Sequence, residues 1–312
     1  MSWQKDDNAT YGLDEIVTRL EALIGQPHVA EEYVRFRVDL LKAQWAVRQA
    51  LAGATPPTPH LEPAVAMAAG QGGKELTPRT PVLEPGAVLF DAGLLRSLFS
   101  AICASAAQRG RRTEDTQRLV AAVEDNPALL EDLARKAAFG PAMEDLESLA
   151  RETRVFIDAL LFVGRALAAP FVAEAVQQIS ACSRGATGET DGGGRCSMCG
   201  SPPAIAKLRR EDGRRILYCG LCGTRWEFTR LTCPWCETGD REALNLLRVS
   251  EGDPRWIEAC ENCKGYIKTV DERKLPLGER IIPVVEETAT LYLDLLAEKE
   301  GYIRRLPYVL SG

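Results

Sequence analysis

Residues 196–263 carry four Cys-x-x-Cys motifs: Cys196-Ser-Met-Cys199, Cys219-Gly-Leu-Cys222, Cys233-Pro-Trp-Cys236 and Cys260-Glu-Asn-Cys263. Eight of the ten cysteines of the chain lie in this stretch. A Cys-x-x-Cys turn aims two sulfurs at one ion, and two such turns complete a tetrahedral site. The spacing therefore predicts two metal sites, each formed by two consecutive motifs.

Three alternatives bear on these sites. Four soft thiolates suit zinc or iron, and the ligands alone do not decide between the two metals. Disulfides within the motifs would be an alternative in an oxidising compartment, whereas thiols stay reduced in the cytoplasm. A single site built from the two central motifs would leave Cys196, Cys199, Cys260 and Cys263 without partners, so consecutive pairing is favoured.

The segments between the motifs have the pattern of β-strands. Residues 204–209 and 215–218 flank the turn Glu211-Asp212-Gly213, which predicts a hairpin. Residues 243–249 and 255–259 predict a second hairpin, and a strand is expected after the second and fourth motifs. The two halves repeat one plan, which indicates a duplicated rubredoxin-like or zinc-ribbon-like unit. Trp226 and Tyr266 follow equivalent turns and are predicted to be core residues.

The rest of the chain has helical spacing. Residues 13–24, 30–51, 91–107, 113–123, the segment after 126, 145–167 and 171–180 predict helices, and Pro170 is expected to separate the last two of them. The Pro/Gly-rich residues 53–86 predict a long loop. The predicted architecture is α+β. It has an all-helical domain (1–182), a linker (183–195), two four-cysteine ribbons (196–230 and 231–275) and a C-terminal helix within 276–312.

Composition limits the classes of function. The chain has 312 residues and a net charge of −6, which gives no general reason to expect nucleic acid or an anionic membrane as a partner. No apolar run reaches the length of about eighteen that marks a membrane span, and the polar N-terminus lacks a signal region. The cytoplasm is therefore expected. The chain has two histidines, His28 and His60, which disfavours hydrolase-type catalysis, and no catalytic residue is predicted.

Four arginines near the first hairpin turn form the clearest basic cluster: Arg209, Arg210, Arg214 and Arg215. Residues 195–230 contain eight Arg or Lys against three Asp or Glu. The cluster is either a solvated hairpin or a surface for phosphate or an acidic protein. Because the helical part is acidic, nucleic acid is the weaker of these interpretations.

The sequence resembles the FdhE family of formate dehydrogenase accessory proteins. The resemblance lies in the following segments: Cys196-x-x-Cys199-Gly-Ser-Pro-Pro203, Tyr218-Cys219-x-Leu-Cys222, Trp226 and Arg230 before Cys233-x-x-Cys236, Cys260-x-x-Cys263-x-x-Tyr266-Ile-Lys268, Leu291-x-Leu293-Asp294 and Gly301-Tyr302-x-Arg304. Ser197 stands where the family usually has proline, and Glu227 where it often has histidine. Neither difference removes a ligand.

The resemblance implies two rubredoxin-like ribbons in which all eight motif cysteines bind iron, with zinc as the alternative metal. It also implies a non-catalytic cytoplasmic factor that binds the catalytic subunit of a respiratory formate dehydrogenase and is needed for its assembly or activation. A rubredoxin-like electron-transfer or thiol-redox protein is the alternative function. A homodimer is left open.

Overall fold

A computed structural model describes residues 11–52, 61, 62, 64, 81–109, 113–139, 143–182 and 193–305. An N-terminal helical region is followed by a seven-stranded sheet that carries two four-cysteine groups, and then by C-terminal helices. The predicted α+β class is confirmed. The polar segment 1–10, His60, most of the predicted loop and residues 183–192 of the predicted linker lie outside the described residues.

Seven helices are described in the N-terminal region, and their bounds are α1 Leu13–Glu21, α2 Glu31–Ala52, α3 Ala92–Gln108, α4 Thr113–Asp125, α5 Leu129–Phe139, α6 Met143–Thr153 and α7 Ile157–Cys182. Helices α2, α3 and α5 pack around α7, whose side chains are mostly buried. Helix α3 begins at Asp91, whose carboxylate accepts a hydrogen bond from the Leu94 amide at 2.8 Å. That contact satisfies one of the free amides of the first turn.

Pro170 does not interrupt α7, which corrects the sequence prediction. Proline has no N–H to donate to the carbonyl four residues earlier, here Ala166. The side-chain amide of Gln44 in α2 donates a hydrogen bond to that carbonyl at 2.8 Å. Since the freed acceptor has a partner and Pro170 is itself buried, tertiary packing holds the helix continuous.

The predicted helix over 145–167 is in fact two helices, because the chain turns between α6 and α7. Arg154 adopts a left-handed conformation with φ 54°, which ends α6. The Arg154 carbonyl accepts a hydrogen bond from Arg118 at 2.8 Å, and Val155 is buried. Helix α7 is also long and apolar enough to cross a membrane by composition, but most of it is buried within the protein. Such burial is typical of a core helix.

The sheet joins the two cysteine units into one structure. Its strands are β1 Pro203–Leu208, β2 Arg215–Cys219, β3 Arg225–Glu227, β4 Leu244–Leu247, β5 Arg255–Cys260, β6 Gly265–Asp271 and β7 Ile303–Arg304. The order is β3-β2-β1-β6-β5-β4, with β7 pairing to β6. Each unit is an antiparallel three-stranded meander, as the repeated sequence plan predicts. Strands β1 and β6 pair in parallel, with Ile205 opposite Lys268, and this connects the units.

The predicted C-terminal helix is also divided in two, α8 Pro283–Ala289 and α9 Leu291–Lys299. The break lies at Thr290, whose φ of −112° and ψ of 27° are not helical. The Thr290 hydroxyl donates to the Glu286 carbonyl at 2.6 Å. Such a bond from a side chain to the backbone competes with the helical pattern and bends helices. Gly301 follows with φ 81° and ends α9.

A buried charge network ties these helices to the sheet. The Lys268 ammonium lies 2.8 Å from a carboxylate oxygen of Asp294 and 3.3 Å from one of Glu287. Arg304 also pairs with Glu287, and its guanidinium donates to the Ala204 carbonyl at 3.4 Å. Because Lys268 lies in β6 and Ala204 in β1, the network bridges the strands at which the two units meet.

Candidate metal centres

The eight motif cysteines form two groups in the structure. The first cysteine group contains Cys196, Cys199, Cys219 and Cys222, and the second contains Cys233, Cys236, Cys260 and Cys263. The grouping is the one that joins consecutive motifs. In each group all sulfur atoms lie within 4.8 Å of one another.

The sulfur spacing fits a tetrahedral ion. In the first group the Sγ atoms of Cys199 and Cys219 are 3.5 Å apart, and in the second those of Cys236 and Cys260 are 3.7 Å apart. A tetrahedron with metal–sulfur distances of about 2.3 Å has edges of about 3.8 Å. Either group could therefore hold one zinc or iron ion without a large movement of its ligands.

All four cysteine turns share one backbone feature. The residue after the second cysteine of each motif has a positive φ: Gly200 73°, Gly223 77°, Glu237 56° and Lys264 57°. This left-handed residue reverses the chain so that both sulfurs of a motif face the same side. In the first group it is glycine, which adopts the conformation freely, and in the second group it is a residue with a side chain.

Backbone amides point at the sulfurs in these turns. The Leu221 amide donates to the sulfur of Cys219 at 3.4 Å, and the Trp235 amide donates to that of Cys233 at 3.4 Å. Such hydrogen bonds favour the thiolate form that a metal requires. The turn amides and the tetrahedral arrangement of the sulfurs thus both favour the binding of a metal ion by thiolates.

The thiols of a group compete for negative charge. Hydrogen bonds from Cys196, Cys219 and Cys222 hold the pKa of Cys199 well below its usual range. Burial and the thiols of Cys196 and Cys199 hold the pKa of Cys219 well above that range. A site that leaves some thiols neutral when it carries no ion becomes a full set of thiolates only around a cation, and so metal binding releases protons.

The second group is the more open of the two. Burial raises the pKa of Cys233. The pKa of Cys236 is lowered, because a backbone hydrogen bond from Thr238 and the thiol of Cys260 outweigh the opposing effect of partial burial. Cys236 is exposed, whereas Cys199 at the equivalent position of the first group is buried.

Two segments lie against the sites although no sequence pattern predicts their position there. Val82 and Leu83, within the predicted loop, donate backbone hydrogen bonds to the carbonyls of Ser197 at 2.9 Å and Met198 at 2.8 Å. These contacts dock the first cysteine turn on the helical region. Their only sequence signal is a pair of apolar residues in a Pro/Gly-rich stretch.

The second segment is the end of the predicted linker. A β-carbon added to Gly194 would lie 1.6 Å from the Pro234 carbonyl oxygen, so the backbones of residues 194 and 234 are in direct contact. The Gly194 amide also donates to the Glu237 carboxylate at 3.2 Å. Residues that precede the first group therefore contact the third cysteine turn at Pro234 and Glu237.

The two predicted core residues and the two cysteines outside the groups have structural surroundings. Trp226 and Tyr266 are buried, as predicted. Cys103 is half-buried against the main core, where burial raises its pKa to about 11, and Cys182 is exposed.

The four arginines of the basic cluster make contacts within the chain. Arg209 pairs with Asp212, and Arg214 pairs with Glu227 at 3.0 Å. Arg210 donates to the carbonyls of residues 275 and 276, both at 3.0 Å. Arg215 is buried and lies 3.1 Å from Glu258. This arrangement favours the interpretation of a structural hairpin over that of a phosphate-binding surface.

Residues 195–230 match the family model described as FdhE, central domain, and residues 231–310 match that of FdhE, C-terminal domain. The two matched segments contain every cysteine of both groups. Residues 195–310 are thus similar to both FdhE domains. The two matched segments meet at residues 230 and 231, between the two units of the sheet.

Relatives named "Protein FdhE homolog" show the same similarity. That of Pseudomonas aeruginosa is 30% identical over 192 residues, which cover 56% of this chain and 61% of the relative. That of Stutzerimonas stutzeri is 38% identical over 120 residues, or 37% of each chain. That of Aquifex aeolicus is 36% identical over 112 residues, covering 35% of this chain and 38% of the relative. The matched stretch thus spans less than two thirds of each of these relatives.

The fold is that of a solved FdhE structure. The crystal structure of the FdhE protein from Pseudomonas aeruginosa superposes with a TM-score of 0.52 at 21% identity, covering 97% of this chain and 99% of that one. The helical region, where sequence similarity is weak, is therefore part of the same fold.

Proposed function

We propose that this chain is a non-catalytic, metal-binding accessory protein of the FdhE family, located in the cytoplasm. It binds the catalytic subunit of a respiratory formate dehydrogenase and is needed for the assembly or activation of that enzyme. The observation that carries the metal-binding part is the pair of four-cysteine groups with sulfur edges of 3.5 to 3.7 Å. The similarity to FdhE domains supports the client enzyme.

The proposed ligands are all eight motif cysteines, with one ion in each group. Iron is the proposed metal and zinc the alternative, since both suit four thiolates. Metal analysis and the optical spectrum of anaerobically purified protein test this. We expect two iron ions per chain and thiolate-to-iron charge-transfer bands. Two zinc ions and a colourless protein would reject iron while leaving the sites in place.

The ligand sets support a role without catalysis at the metal. Four cysteines fill the four positions of a tetrahedral site, whereas catalytic sites keep one position for water or substrate. A closed iron site still allows a one-electron change. If the optical spectrum of iron-loaded protein changed reversibly on reduction at a physiological potential, the alternative function of electron transfer would be favoured.

The client is tested in a strain that lacks this gene and produces a tagged formate dehydrogenase catalytic subunit. We expect formate dehydrogenase activity to be lost in that strain and to return with the wild-type chain, which should co-purify with the tagged subunit. Cys219→Ser tests whether the sites are needed, and Cys182→Ser is the control outside both groups. Normal enzyme activity in the deletion strain would contradict the proposed role.

A further inference from the structure

We propose that the two centres have different roles. The first cysteine group holds a structural ion that fixes the helical region on the sheet. The second holds an exchangeable ion, which an external thiolate reaches at Cys236. This inference rests on the proposed binding of one ion by each group. It assigns to the second group a ligand class, namely thiols of small molecules or of a partner protein.

The first group is enclosed by the core. Cys196, Cys199 and Cys219 are buried and belong to the same hydrophobic cluster as the helices, and Cys222 is half-buried against that cluster. Val82 and Leu83 hold the first cysteine turn through two backbone hydrogen bonds. None of the four cysteines is exposed, so close approach of an incoming ligand to this ion requires these contacts to open, and opening a core segment takes much of the global free energy of unfolding.

The second group has an open side. Cys233 and Cys260 are buried, but Cys236 is exposed and Cys263 is half-buried. The sulfur of Cys236 lies 3.7 Å from that of Cys260, so the exposed thiol is a full member of the group. A ligand from solvent can thus approach the ion beside Cys236 without disturbing the core.

The turns of the second group are also less well suited to their conformation. Glu237 and Lys264 occupy the left-handed positions that Gly200 and Gly223 occupy in the first group. A residue with a β-carbon is less stable in this conformation than glycine. The turns that carry Cys236 and Cys263 therefore open more readily than those of the first group.

The exchange step balances without a change of oxidation state. With one ion held by the second group, an external thiolate would take the place of the Cys236 sulfur, so that one metal–sulfur bond forms as another breaks and Cys236 leaves as a thiolate. A chelator can then remove the loosened ion.

Metal release from the full chain loaded with two zinc ions tests the proposal. The probe is glutathione together with the coloured chelator 4-(2-pyridylazo)resorcinol. We expect one ion to leave at a rate that rises with glutathione concentration. The other should leave at a rate at least about tenfold lower, because its release requires a core opening. Release of both ions at one rate, or a fast rate that is independent of glutathione, would overturn the proposal.

Matched substitutions assign the two phases. Cys236→Ser and Cys199→Ser change the second cysteine of the first motif in each unit. Cys236→Ser should keep the slowly released ion and lose the fast, glutathione-dependent phase. Cys199→Ser should lose the slowly released ion. The reverse assignment would refute the proposal.

Alkylation of the unmodified, zinc-loaded chain provides a readout that does not require a variant to fold. Iodoacetamide labelling followed by mass spectrometry should modify Cys236 before any other motif cysteine. Cys182 serves as the exposed reference and Cys103 as the half-buried one. Labelling of Cys199 as fast as Cys236 would contradict the proposal. A chain that binds fewer than two ions would instead refute the proposed binding of one ion by each group.

Discussion

The contact between Gly194 and the third cysteine turn gives a prediction whose size follows from the structure. In Gly194→Ala the new β-carbon would lie 1.6 Å from the Pro234 carbonyl oxygen and 2.9 Å from the Pro234 Cα. Backbone atoms must move by about 1.4 Å to bring the closest contact out to 3.0 Å. Pro234 lies between Cys233 and Cys236, so the movement displaces two ligands of the second group.

Overpacking that shifts backbone costs about 1–3 kcal/mol. If this strain destabilises the metal-loaded state and not the metal-free state, the affinity of the second group for its ion drops by up to about 100-fold. Competition with a chelator measures that affinity, and thermal unfolding measures the loss of stability.

Two neighbouring glycines are matched controls. A β-carbon at Gly193 meets only the carboxylate end of Glu237, at 2.6 Å, and one at Gly239 meets no atom within 4 Å. We expect Gly194→Ala to weaken metal binding most, Gly193→Ala much less and Gly239→Ala hardly at all. Equal affinities for Gly194→Ala and Gly239→Ala would refute the proposed packing of the linker on the turn.

Three further predictions concern the rest of the structure. Gly223→Ala should lower the free energy of unfolding by about 1–2 kcal/mol through its positive φ alone, whereas Gly252→Ala, also in open space, should be neutral in denaturant titrations. Lys268→Met should lower the free energy of unfolding by about 3–5 kcal/mol, because buried carboxylates lose their partner. A loss below about 1 kcal/mol would exclude a stabilising role for this buried ion pair. The pKa of Asp294 is lowered because Arg304 and Lys268 outweigh the opposing effect of burial. The extra stability of wild type over Asp294→Asn should therefore be full well above about pH 4 and shrink as the pH falls through the lowered pKa, and a pH-independent difference would argue against it.

The metal centres were predictable because their determinants are local. The order and spacing of Cys196 to Cys263 indicate two groups, and the hairpins between the motifs follow from turn residues and alternating side chains. The exposure of Cys236 was not predictable from the motif, since Cys199 has the same position in its unit and is buried. This difference in exposure depends on which other segments of the chain pack against each turn.

Incorrect predictions and missing ones have the same origin. Pro170 breaks an isolated helix, but here a side chain from α2 satisfies the acceptor that Pro170 leaves free. Residues 82 and 83 are irregular, as the loop prediction has it, but composition does not indicate their hydrogen bonds with the first cysteine turn. A single sequence does not reveal such partners, because they are distant along the chain.

The pairing of β1 with β6 is consistent with the proposed exchange of an ion at the second cysteine group while the fold persists. Metal binding and folding are coupled in small, isolated metal units, which unfold when the ion leaves. Here β6 of the second unit pairs with β1 of the first and is also held by the contact of Lys268 with Asp294 in α9. The strands of the second unit therefore keep partners that do not depend on its own ion. A structural ion in the first group and a shared sheet together provide the fixed frame that an exchangeable second ion requires.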